Sequence, residues 1–159
     1  MTSVNININK ANVYVEVAKT SSYSGAKMID EAPNAYEKIF TTDEDRMMLE
    51  RFWREACNQV TDLFKPFLES VVELSESHGI DLTANYTASL SLSSSYDPNL
   101  TNSIQNSLFS FFTNYIIAEW FKFTNKQEAQ SYANEASAML LDVKGKIYFK
   151  KKPTRVAPK

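Results

Sequence analysis

The chain has 159 residues, 43% hydrophobic and 23% charged, which supports one packed domain and argues against wholesale disorder. One Cys and one His exclude disulfide scaffolds, zinc fingers and most His-based catalysis. The net charge of −2 conceals an asymmetry: up to Asp142 ten basic residues face nineteen acidic ones, a net of −9, while from Val143 onward seven basic residues and no acid give +7. An acidic body with a basic end is expected either to leave that end solvated or to dock it on an acidic partner or nucleic acid. No apolar run approaches the length of a membrane span, and the Asn-rich start lacks the pattern of a secretory leader, so a soluble, intracellularly made protein is expected.

Val4, Ile6 and Ile8 alternate with Asn5 and Asn7, the period of a half-buried strand. Asn9 then caps a helix from Lys10 to about Thr20, although Val13, Val15 and Val17 also suit a second strand. Thr20 to Asn34, rich in Ser and small polar residues, reads as a loop. Thr41 with Glu44 forms a capping box, and Leu49, Phe52, Trp53, Ala56, Cys57, Val60, Leu63, Phe64, Phe67, Leu68 and Val71 follow at helical spacing. Pro66 lies within that stripe and is expected to kink the helix, with Gly79 as its stop.

Ile80, Leu82, Ala84, Tyr86, Ala88, Leu90 and Leu92 occupy every second position, so 80–93 reads as a β segment. Its backbone needs a ladder. Three ladders are open: a local hairpin, a pairing with the strand Val4–Ile8, or a pairing with a neighbouring subunit. Asp97 and Pro98 then open a helix whose apolar face runs from Ile104 to Trp120 and Phe123; the spread of apolar side chains implies burial on more than one side. A last helix, about Lys126 to Phe149, places Ala129, Tyr132, Ala133, Ala136, Met139, Leu140, Val143 and Ile147 on one face. The expected fold is mainly α: a small helical bundle with two long helices and a C-terminal helix, a peripheral β element, and an extended arm. One domain spans 1–149, followed by the basic arm 150–159.

Chemistry is sparse. Cys57 lies in the apolar stripe and reads as a buried small hydrophobe, while His78 beside Gly79 reads as a helix-end residue. A Cys57–His78 nucleophile pair has no local motif to support it. Gly25, Gly79 and Gly145 stand alone, so neither a phosphate-cradling loop nor a nucleophile elbow is present. No catalytic residue, cofactor or metal ligand is assigned. Lys144, Lys146, Lys150, Lys151, Lys152, Arg155 and Lys159, with Tyr148 and Phe149 between them, could instead neutralise phosphates and stack on bases, which makes a nucleic-acid-binding accessory protein the alternative reading.

Asp43-Glu44-Asp45-Arg46 leading into Leu49-Glu50-Arg51-Phe52-Trp53-Arg54-Glu55-Ala56 resembles structural proteins of phages and prophages of Bacteroides-type bacteria. Ala118-Glu119-Trp120-Phe121-Lys122-Phe123-Thr124-Asn125-Lys126, followed by Ile147-Tyr148-Phe149-Lys150-Lys151-Lys152-Pro153, does so too. Over roughly residues 40 to 153 the order of segments is similar to the head-to-tail connector (adaptor) proteins of tailed bacteriophages. The resemblance implies a non-enzymatic subunit of the virion neck, assembled in the bacterial host cytoplasm. It implies a homo-oligomeric ring, usually of twelve copies, that joins the portal protein to tail or neck proteins. DNA passes through such a channel without sequence-specific binding, and no membrane is involved. On this chain Lys150, Lys151, Lys152 and Arg155 would form the portal-docking arm, and Leu82, Tyr86, Leu90 and Leu92 an inter-subunit strand.

Overall fold

Strand β1 (Thr2–Ile8) opens a computed structural model that describes residues 1–28, 46–71 and 85–152. Helix α1 (Lys10–Met28) follows at once, started as expected by Asn9, whose Oδ1 accepts the Asn12 N–H at 3.0 Å. Helix wins over strand here because Val13 and Val17, four apart, are both buried while Val15 faces out. The loop expected from Thr20 is corrected: the helix runs on to Met28, and Ser21 continues the buried face of Val13 and Val17 with its hydroxyl donating to the Ala18 carbonyl. Residues 29–34 of the expected loop, the Thr41–Glu44 capping box, His78 and Gly79 lie outside the described residues.

Helix α2 (Arg46–Phe64) buries Leu49, Phe52, Trp53, Ala56, Cys57, Val60 and Phe64, the expected stripe. The kink expected at Pro66 is corrected. The α-helix ends at Phe64, a 3₁₀ turn covers Lys65–Phe67 with Pro66 inside it, and the chain becomes strand β2 (Leu68–Val71). Proline cannot continue the hydrogen-bond ladder, and the apolar residues that follow find a sheet to join.

Strand β3 (Tyr86–Leu92) holds that sheet together, in the order β1-β3-β2. Antiparallel to β1, it pairs Ile8 with Tyr86, Ile6 with Ala88 and Val4 with Leu90, so the buried residues of both strands share one face. On its other edge β2 pairs Leu68 with Leu90 and Val71 with Ala88, with a register irregularity between Leu68 and Ser70. One edge of β3 is thus covered along its length by β1, and the other is covered over Ala88–Leu90 by β2. Tyr86, Leu90 and Leu92, expected to pair with a neighbouring subunit, are core residues in an intramolecular ladder. Leu82 lies outside the described residues.

A 3₁₀ turn (Pro98–Leu100), capped by the Asp97 carboxylate accepting the Asn99 N–H at 3.1 Å, leads into α3 (Thr101–Thr124). This is the central helix. Ile104, Leu108, Phe111, Phe112, Ile116, Ile117, Trp120 and Phe121 are buried around much of its girth, as the spread of apolar residues predicted. Phe123, expected on the same face, is 70% exposed, because the helix is about to end and the buried stripe stops at Phe121. Asn125 alone separates α3 from α4 (Lys126–Tyr148), which returns against it and buries Ala129, Ala136, Val143 and Ile147, while Tyr132, Ala133, Met139 and Leu140 of the expected face are half-buried. The small Ala side chains admit the close approach expected of them. The fold is mainly α with a three-stranded peripheral sheet. Among the described residues no helix is long and apolar enough to cross a membrane.

Candidate functional site

The end of α4 carries a polar cluster that joins two helices. Asp142 and Lys146 are four residues apart, so they share one helix face and pair directly. Ser107, from α3, lies beneath them, donating to Asp142 Oδ2 at 2.7 Å and accepting from Lys146 Nζ at 3.0 Å. The Lys146 hydrogen bond first, and the Ser107 hydroxyl second, hold the Asp142 carboxyl below the usual carboxylate range. A serine beside a lysine invites comparison with a nucleophile pair, but that chemistry needs an unprotonated amine to take the hydroxyl proton. Here a carboxylate touches the amine and the hydroxyl proton points at the same carboxylate. The trio is thus suited to clamping α3 to α4.

Leu100, Asp142, Gly145, Lys146 and Phe149 line a groove of about 280 Å³ above the clamp. Beyond it the chain leaves α4 extended. Lys150 forms a β-bridge with Tyr96, and the Lys151 N–H donates to the Ser95 carbonyl at 2.8 Å. Lys150, Lys151 and Lys152 are exposed, so the structure brings three of the four predicted arm residues together at a fixed place beside the groove; Arg155 lies outside the described residues. Tyr148 sets its ring edge-on to Phe67 at 5.3 Å, which ties the 3₁₀ turn of Pro66 to the end of α4.

Cys57 is buried as expected, and burial pushes its thiol above its ordinary range, away from the thiolate a nucleophile requires. Near it runs a second polar group that periodicity did not reveal. Lys10 Nζ donates to Glu50 Oε2 at 2.6 Å, the Tyr14 hydroxyl donates to Oε1 at 2.8 Å, and Lys10 and Glu50 are only 8% and 4% exposed. The only advance signal was position: Lys10 stands three residues before Val13 and Glu50 three before Trp53, which puts each charge on its helix's buried face. Among the described residues no group of three or more His, Cys, Asp or Glu is placed to hold a metal ion.

Comparison of the chain with family models, curated proteins and solved structures gives no match in any of the three.

Proposed function

We propose that the protein is a structural assembly subunit, of the head-to-tail connector kind its sequence resembles, forming a homo-oligomeric ring that receives the portal on one side and tail or neck proteins on the other. The observation that carries this reading is the treatment of the basic end. Lys150, Lys151 and Lys152 project into solvent from a backbone anchored to Tyr96 and Ser95, so the run is held in place without being used inside the fold. Apolar side chains outside the core add to it: Phe123, Leu141 and Phe149 are 70%, 69% and 53% exposed on the α3–α4 hairpin and its continuation. Side chains of this kind serve as anchors once a partner covers them. The inter-subunit role of β3 is not part of the proposal, since β1 pairs its full length and Tyr86, Leu90 and Leu92 are buried in the core.

The competing reading, nucleic-acid binding through the same run, keeps Tyr148 and Phe149 half-exposed for stacking, although the Tyr148 ring already meets Phe67 edge-on.

Native mass spectrometry of the purified chain, followed by imaging of the particles, tests the ring. A closed assembly of about a dozen copies is the expected result. Truncation after Phe149 should abolish binding to a portal while leaving the ring intact. A truncate that still binds would remove the arm from the proposal. A strict monomer whose DNA binding is lost with residues 150–159 and weakens steeply with salt would favour the competing reading.

A further inference from the structure

Glycine weakens a helix, yet Gly145 sits in the last turns of α4 where packing does not demand it: a Cβ built there meets nothing within 4 Å. What the missing side chain does is keep open the groove between Leu100 and Phe149. The groove is walled mainly by carbon, with the ionic trio at one side internally satisfied. From Val143 to Lys152 the chain carries five lysines and no acid. Lys146 is committed to Asp142 and Ser107, whereas Lys150, Lys151 and Lys152 are exposed on the extended segment that directly follows Phe149 of the groove wall.

We propose that this groove is the docking site for an acidic segment of a partner protein, with one apolar side chain entering between Leu100 and Phe149 and flanking carboxylates meeting Lys150, Lys151 and Lys152. This rests on the assembly reading and names the chemistry of the surface that the arm meets. Charge complementarity sets the sign of the partner, and the apolar walls set its class. A polypeptide alternates charged and apolar groups along its length, whereas a nucleic acid brings a phosphate with every base and has no lone apolar side chain to set between the carbon walls. The backbone bridge at Tyr96 keeps the lysines in register with the groove, so little ordering is left to the moment of binding.

The test uses the full chain and three dye-labelled probes read by fluorescence anisotropy. One is a peptide of about a dozen residues with Leu and Phe between Glu and Asp flanks. The second replaces its Leu and Phe with Ser, and the third is a single-stranded oligothymidylate of similar length. Two variants accompany them: Gly145→Leu, which fills the groove and leaves every charge in place, and Lys150→Glu with Lys152→Glu, both exposed and outside the helices. The first peptide should bind. The all-polar peptide, and either variant with the first peptide, should bind at least about tenfold more weakly. Unchanged affinity in Gly145→Leu, equal affinity for the all-polar peptide, tighter binding of the oligonucleotide, or no binding of the first peptide would each overturn the proposal. Self-association that Gly145→Leu abolishes, without peptide binding, would assign the groove to a second copy and overturn it as well. A ring in native mass spectrometry with no peptide binding rejects the groove alone. Peptide binding by a strictly monomeric chain upholds the groove and rejects the ring.

Discussion

Trp53 of α2 and Phe112 of α3 lie with ring centroids 4.6 Å apart and planes tilted by 31°, and this contact sits where helices and sheet converge. Tyr86 of β3 also meets Phe112, at 5.8 Å, and Tyr14 of α1 approaches Trp53 edge-on at 6.3 Å. Four elements thus meet through two buried rings. Phe112→Ala should destabilise the fold by about 3–5 kcal/mol, through lost burial and the cavity left behind. Trp53 adds a twist, because its buried indole N–H has no hydrogen-bond partner among the described residues. Trp53→Phe relieves that unpaired donor while leaving a smaller void, so chemical denaturation should place it well above Trp53→Ala in stability.

The Lys10–Glu50 pair joins the first turn of α1 to α2 in a buried setting. Removing one partner strands a charge. Lys10→Met alone should cost about 3–5 kcal/mol, whereas Lys10→Met combined with Glu50→Leu should recover most of it. A double-mutant cycle in urea checks this, and additive losses would show that the two charges do not act as a unit.

At the end of α4 the sign of the pH dependence follows from Asp142. Its carboxyl is held below the ordinary range in the folded chain, by Lys146 first and Ser107 second. Above the unfolded carboxylate value, about 3.9, its contribution to stability is fully present. It is lost as pH falls through the lower folded value, because the unfolded chain then binds the proton more readily. Asp142→Asn should flatten the acid limb of a stability-versus-pH curve below about pH 4 and leave the curve's shape near neutrality unchanged. The carboxylate is partly exposed, so the effect should be modest and reduced by salt.

Tyr86 provides the alkaline counterpart. Burial pushes its hydroxyl up to about 12, and its bond with Thr61 Oγ1 at 3.1 Å only partly opposes this. The raised value favours the neutral phenol in the fold. That stabilisation is complete below about pH 10, the unfolded value, and disappears as pH rises toward the folded one. Tyrosinate absorbance should therefore show Tyr86 ionising late or together with alkaline unfolding, and Tyr86→Phe should remove that step.

Cys57 should resist alkylation in the native chain and react only on unfolding, since its thiol is buried and held protonated. Mass spectrometry after brief iodoacetamide treatment, with and without urea, reads this directly. Rapid labelling of the folded chain would reopen a nucleophilic role for the thiol.

Much of this was legible in the residues themselves. The stripe from Leu49 to Phe64, the girth of α3 around Phe112, the Ala-lined face of α4 and the alternation through β1 and β3 are local periodicities. Side chains three or four apart on a helix, or two apart on a strand, reach the same surface whatever the rest of the chain does. Asn9 and Asp97 announced their caps for the same local reason. The polar clusters were less accessible. Asp142 and Lys146 share a helix face by sequence, but Ser107 joins them from 35 residues away.

The sequence by itself determined a mainly helical chain with a buried alternating strand, an inert-looking Cys57 and a basic end, because composition and periodicity act over a few residues. Only the tertiary structure decided which strand β3 would pair with and that Pro66 ends a helix instead of bending it. It also decided that α1 continues past Thr20 and that Lys150 is pinned to Tyr96. Each of those outcomes depends on a partner distant in sequence. An open sheet edge, a buried face or an unpaired carbonyl is supplied by the fold as a whole, and local propensity yields to whichever arrangement satisfies it.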